Sequence, residues 1–270
     1  MIRGIDCASS VSARAANILK AEGFSFVGRY LVPPSYTKAL SWAEAEILHA
    51  AGLDILLVWE TTAARMRGGA AAGREDGARA YARARELGVP YNAILYFAAD
   101  FNAQPEEMSA IRNYMISASI EIQPYRVGIY GGYRTIEAVK TMPIHGFWQC
   151  VAWSGGKVSG AMTVYQAQWQ GTEEAKTLGA KLGFAVDIDE CPDTALAGMW
   201  SHRQPEPEPE GEETMEKRYQ TLQDVPGWAD ETVRKLLRKG SLRGTGDGLN
   251  LSEDMLRILV ILDREGVFKE

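Results

Sequence analysis

Ile94-Leu-Tyr-Phe-Ala-Ala-Asp100 is an apolar run, short for a helix, that stops on a carboxylate. Short apolar runs carrying aromatic and β-branched side chains read as buried strands. The same grammar recurs on both sides of it. Upstream, Arg3-Gly-Ile-Asp6 ends on Asp6, Ser25-Phe-Val-Gly-Arg-Tyr-Leu-Val32 is stopped by Pro33-Pro34, and Ile55-Leu-Leu-Val-Trp-Glu60 ends on Glu60. Downstream, strands are expected over 126–130, 147–152, 163–168 and 184–188, the last within Phe184-Ala-Val-Asp-Ile-Asp189. Helical stretches lie between them. One runs from Ser12 to Glu22, and Ser41-Trp-Ala-Glu44 opens another with the form of a capping box. A third, from about Arg74 to Leu87, closes at Gly88, and others are expected over 105–120, 133–140 and 173–181. Strand after helix after strand predicts parallel strands joined by crossover helices. Seven or eight strands in about 200 residues fit a closed, TIM-like α/β barrel better than an open doubly wound sheet. No GxGxxG loop follows the first strand, which weighs against a nucleotide-binding sheet.

If the strands close into a barrel, Asp6, Glu60, Asp100 and Asp187 share one polar mouth, where such barrels keep their chemistry. Two carboxyl groups across a mouth are the minimum needed to cleave a glycosidic bond. Asp100 follows Tyr96 and Ala98 on one strand face, so partial burial would raise its pKa as a general acid requires. Equally, Asn102 and Pro105 leave it readable as the cap of the next helix. Asp6 serves as base or as orienter of a substrate amide, or else pairs with a barrel arginine such as Arg29. Glu60 beside Trp59 suits a sugar cleft or a solvated loop. One of Asp187 and Asp189, two apart and so on one face, is expected to be functional. Tyr130, Trp148, Gln166 and Gln168 sit near later strand ends, and amides beside aromatic planes suit a polyhydroxylated ligand. Tyr96, Arg29 and Tyr30 complete the candidate binding set.

Composition narrows the alternatives. A net charge of −6 gives no basic footprint for nucleic acid. No apolar run approaches a membrane span, so membrane insertion is not expected. Cys7, Cys150 and Cys191 are scattered and read as buried thiols. No GxSxG elbow and no HExxH spacing appears, disfavouring a serine hydrolase or a zinc amidase, and no metal or cofactor is expected. Met1-Ile-Arg-Gly-Ile-Asp6 runs straight into a strand, so no signal peptide is read.

At Arg203-Gln-Pro-Glu-Pro-Glu-Pro-Glu-Gly-Glu-Glu213 proline and glutamate alternate, which predicts a semi-rigid linker. Three segments follow: a barrel over 1–202, a Pro/Glu linker over 203–218, and a small helical module over 219–270. The last carries Val233, Leu236 and Leu237, then Met255, Leu256, Leu259, Val260 and Leu262, around Gly244-Thr-Gly-Asp-Gly248.

Residues 1–200 resemble the glycoside-hydrolase-like domain of the Rv2525c-like (DUF1906) family, which is similar to the family 25 lysozymes. The resemblance rests on Gly4-Ile-Asp6, Val27-Gly-Arg-Tyr30, the 94–100 run, Val127-Gly-Ile-Tyr-Gly-Gly132, Gln166-Ala-Gln-Trp169 and Val186-Asp187. It implies a barrel that binds and hydrolyses a peptidoglycan-type glycan, with Asp100 as proton donor and Asp6 as the acid of the first strand. Where those lysozymes carry a further acid two residues before the donor, this chain has Ala98, which implies as alternative a glycan-binding protein without catalysis. The tail resembles an S-layer-homology-like repeat through Asp224-Val-Pro-Gly-Trp-Ala229, Lys239-Gly240 and Gly246-Asp-Gly248. That implies a wall-targeting module, or a homodimerisation unit, on an endolysin-like protein made in the cytoplasm and acting at the bacterial cell wall.

Overall fold

The computed structural model describes residues 1–202, 217–244 and 248–268. It divides into two compact units, Met1–Gln204 and Pro205–Glu270. The expected linker lies almost wholly outside the described residues, as do Gly246 and Asp247.

In the first unit eight strands close into a barrel in sequence order. They are β1 (Ile2–Asp6), β2 (Phe26–Tyr30), β3 (Asp54–Trp59), β4 (Ile94–Ala98), β5 (Arg126–Gly131), β6 (Gly146–Cys150), β7 (Val164–Gln168) and β8 (Asp187–Cys191). Helices α1 (Ala13–Ala21), α2 (Trp42–Ala50), α3 (Gly69–Leu87), α4 (Met108–Glu121), α5 (Tyr133–Val139) and α6 (Glu173–Leu182) accompany them. β1 to β7 are parallel neighbour to neighbour, whereas β8 pairs antiparallel with both β7 and β1. The expected strand over 184–188 is therefore corrected: the chain re-enters at the mouth after α6, and Asp187 starts β8 rather than ending it.

Alternation along the strands separates two cores. Leu95, Phe97, Val27, Ile129 and Ile188 face the helices, while Phe26, Leu56, Val58, Ile94, Tyr96, Ala98, Trp148 and Val164 fill the barrel. Room for the inner aromatics comes from glycine: a Cβ on Gly128 would stand 2.6 Å from the Tyr96 ring. The chain after β8 covers the far end of the barrel. There Ile94 N donates to Gly198 O (2.8 Å) and Trp200 pairs with Ile55.

Ser41 caps α2 by accepting from Glu44 N at 3.1 Å, but the reciprocal half of the expected capping box is absent. The Glu44 side chain turns inward instead, accepting from Val11 N (2.8 Å) and from Arg29 Nε (2.7 Å). Gly88 and Gly183 close α3 and α6 in the left-handed region.

In the second unit α7 (Gly227–Arg238) and α8 (Glu253–Arg264) bury Val225, Ala229, Val233, Leu236, Leu256 and Val260, with Tyr219 bridged to Leu251. Met255 does not join this core; it is exposed, as are Ile258 and Ile261. No helix among the described residues is long and apolar enough to cross a membrane.

Candidate functional site

Asp6 and Tyr30 are the last residues of β1 and β2, Glu60 follows β3, and Ala98 ends β4 with Asp100 two residues beyond. Together with Tyr130, Trp148, Gln166 and Asp187 they line one cleft at the barrel mouth, with about 390 Å³ of open space. The antiparallel course of β8 brings Asp187 there, because Asp187 stands opposite Asp6 and Asp189 opposite Gly4.

A neutral amide stitches the carboxylates together. Tyr130 donates to Gln166 Oε1 (3.0 Å), and Gln166 Nε2 donates to Asp6 Oδ2 (2.7 Å) and Asp187 Oδ2 (3.0 Å). Asp187 Oδ1 also accepts from the Gln170 amide at 2.5 Å. One layer deeper, Trp148 Nε1 donates to Asp189 Oδ1 at 2.8 Å. Gly28 keeps this layer open, since a Cβ there would lie 2.7 Å from Asp6 Cβ and 2.9 Å from the Trp148 ring.

Among the described residues no arginine or lysine forms an ion pair with Asp6, Asp100, Asp187 or Asp189, and burial raises the pKa of each. Burial, then the charge of Asp187, raises the Asp6 pKa to about 7 against the hydrogen bonds from Gln166 and Asp189. Asp100 is pushed up to about 6 by burial and then by Glu60, with Lys38 acting the other way. Burial also raises Asp187, and burial with the Asp6 charge raises Asp189 well above the carboxylate range. Asp100 accepts no hydrogen bond among the described residues, and the turn before α4 is capped by Gln104 and Glu107 instead. The helix-cap reading of Asp100 therefore falls.

Glu60 is held by Lys38 at 2.9 Å, and Lys38 Nζ also sits 4.1 Å from the Tyr30 ring centroid. Sequence reasoning missed Lys38. The signal was there: it is the one basic residue between β2 and α2.

Three expected binding residues do not reach the cleft. Arg29 is fully buried on the helix-facing side, where its guanidinium meets Glu44 and donates to Cys7 O (2.5 Å). Strand alternation sends it opposite to Tyr30, so it pairs with neither substrate nor Asp6. Tyr96 faces inward but lies deep, its hydroxyl donating to Ala197 O (2.9 Å) at the far end of the barrel. Gln168 is displaced by a bulge between Gln166 and Gln168, which sets it opposite Ile188, and it donates to Glu174 Oε2 (2.7 Å). Gln166 and Gln168 thus do not share a face.

Cys7, Cys150 and Cys191 are free and buried, and burial pushes each thiol up to about 12, which removes thiolate chemistry. Among the described residues no group of three or more His, Cys, Asp or Glu is placed to hold a metal ion. The arrangement suits proton transfer between carboxyl groups that titrate near neutrality.

Residues 17–191 match the family described as the Rv2525c-like, glycoside hydrolase-like domain. The structure is similar to the crystal structure of the Tat-secreted protein Rv2525c of Mycobacterium tuberculosis in complex with L-tartrate. The TM-score is 0.63 at 24% identity, covering 74% of this chain and 98% of that one. An uncharacterized B. stearothermophilus protein gives a TM-score of 0.56 at 21% identity, covering 74% of this chain and 100% of that one. Among curated proteins, FadG of Bacillus subtilis is 30% identical over 118 residues, which is 40% of this chain and 20% of FadG. The chain thus spans only a fifth of that relative.

Proposed function

The chain belongs to the Rv2525c-like, glycoside hydrolase-like domain family, and from that premise we propose that its barrel cleaves a glycosidic bond in a cell-wall glycan of the peptidoglycan type. The observation that carries this reading is the convergence in one cleft of two carboxyl groups, Asp6 and Asp100, each raised toward neutrality first by burial and then by a neighbouring acid. Asp100, whose carboxyl accepts no hydrogen bond among the described residues and lines the cleft, gives its proton to the leaving glycosidic oxygen as the bond to the anomeric carbon breaks. Positive charge then develops on the ring, facing Asp6, Asp187 and Glu60. Water adds to the anomeric carbon, and its proton is taken up by a mouth carboxylate. Gln166 fixes Asp6 and Asp187 relative to one another, while Tyr30, Tyr130 and Trp148 wall the cleft for a sugar ring. The helical tail holds the enzyme at the wall or pairs it with a second copy, joined through the Pro/Glu segment. The site of action is then the bacterial cell wall.

A second reading is favoured by Ala98, which lines the cleft with a methyl group in place of another acid: a glycan-binding barrel without turnover. Purified cell walls separate the two. Wild-type release of reducing ends, lowered about 10²–10⁴-fold by Asp100→Asn with wall binding retained, is the outcome expected of the enzyme. Wall binding by both proteins with no release by either establishes the binding module.

A further inference from the structure

Asp189 is fully buried inside the barrel, one pleat below the mouth, and plays no part in the steps above. Its Oδ1 accepts from Trp148 Nε1 at 2.8 Å, whereas its Oδ2 is buried and meets no donor in the described structure. An ionised carboxylate in that position would leave one oxygen unsatisfied in a low-dielectric interior, which is costly. Asp6 lies diagonally across the β1–β8 register from Asp189, on the same strand face, and its own Oδ2 is taken by Gln166. Two ionised carboxylates cannot hydrogen-bond to one another, so a bond across this diagonal takes a proton on one of the two.

We infer that Asp189 carries a proton at neutral pH and donates it to Asp6, acting as a positioning residue that orients the Asp6 carboxylate toward the cleft. The inference rests on the role proposed for Asp6. The groups facing Asp189 are few. Asp6 comes from β1, Trp148 from β6 and Gln166, its register partner, from β7, while Asp187 and Cys191 flank it on β8. None of these is cationic, so nothing nearby favours a second negative charge. The burial that raises Asp189 far above the carboxylate range acts in the same direction. Trp148, crossing the barrel over Gly28, locks the neutral acid so that its hydroxyl has one place to point.

The test reads the proton itself and so does not depend on turnover. Infrared spectroscopy of the full chain at about pH 8.5, where ordinary carboxyl groups are ionised, is expected to show a protonated carboxyl C=O band that Asp189→Asn abolishes. The Asn variant keeps a donor for Asp6 and an acceptor for Trp148, whereas Asp189→Leu supplies neither. Carboxyl NMR is therefore expected to find Asp6 titrating at a higher pH in the Leu variant than in the Asn variant. Absence of the band from the wild type overturns the inference, as do matching Asp6 titrations in the two variants. Either result leaves the cell-wall assay standing, while failure of that assay with the band present removes the catalytic role and not the proton.

Discussion

Glu44 and Asp6 are carboxyl groups packed against opposite faces of the β1–β2 pair, and they are treated differently. Glu44, on the helix-facing side, is buried with two guanidinium hydrogen bonds from Arg29 and one backbone amide. Asp76 is similar, fully buried yet held by Arg65 and the Tyr114 hydroxyl. Asp6, on the barrel side, meets the Gln166 amide and the charges of neighbouring acids, with no cation paired to it among the described residues. A carboxylate that serves the fold is given a counter-charge, because an unpaired buried charge is expensive. Carboxyl groups left without one carry their cost as raised pKa values, and in this barrel they converge on a single cleft.

The largest effect is expected where the compensated side is broken. Arg29→Met strands Glu44 among apolar atoms and should lower stability by about 3–5 kcal/mol, read by chemical denaturation. On the uncompensated side the sign reverses. Between about pH 4 and 7 the unfolded chain has released the Asp6 proton while the folded chain keeps it, so stability falls as pH rises through that window and levels off above it. Asp6→Asn removes that loss and should stabilise the barrel at about pH 8 by roughly 2–4 kcal/mol, with no gain at about pH 4. The smallest effect belongs to the mixed case, Lys38 with Glu60. Lys38→Met should change stability by less than about 1 kcal/mol, the pair being partly exposed. It should nonetheless move the alkaline limb of the pH–activity profile upward, because Lys38 lowers the Asp100 pKa.

The barrel and its acidic mouth were legible because strand ends are marked by composition: apolar runs stop on Asp6, Glu60 and Asp100. Phase was legible too, though it was not applied to Arg29 and Tyr30, since adjacent residues of one strand cannot both face the mouth. Depth was harder. Tyr96 shares the Ala98 face, but four residues below Asp100 places it roughly 13 Å away along the strand. Two features had no local signal. The bulge that turns Gln168 outward is decided by pairing with β8, and the reversed direction of β8 is hidden because a helix precedes it as a crossover helix would. That reversal makes Asp187 a neighbour of Asp6 and sends Asp189 beneath it, so the sequence marked the pair but not which of the two would reach the mouth.

The central claim is that Asp6 and Asp100 titrate near neutrality because they are buried and neither forms an ion pair among the described residues. Carboxyl NMR titration of selectively labelled aspartates tests it directly: Asp6 should titrate at about 7 and Asp100 at about 6, with Asp224 on the second unit held below the usual carboxylate range by Thr221. Titration of Asp6 and Asp100 together near pH 4, as for solvated aspartates, would contradict the account.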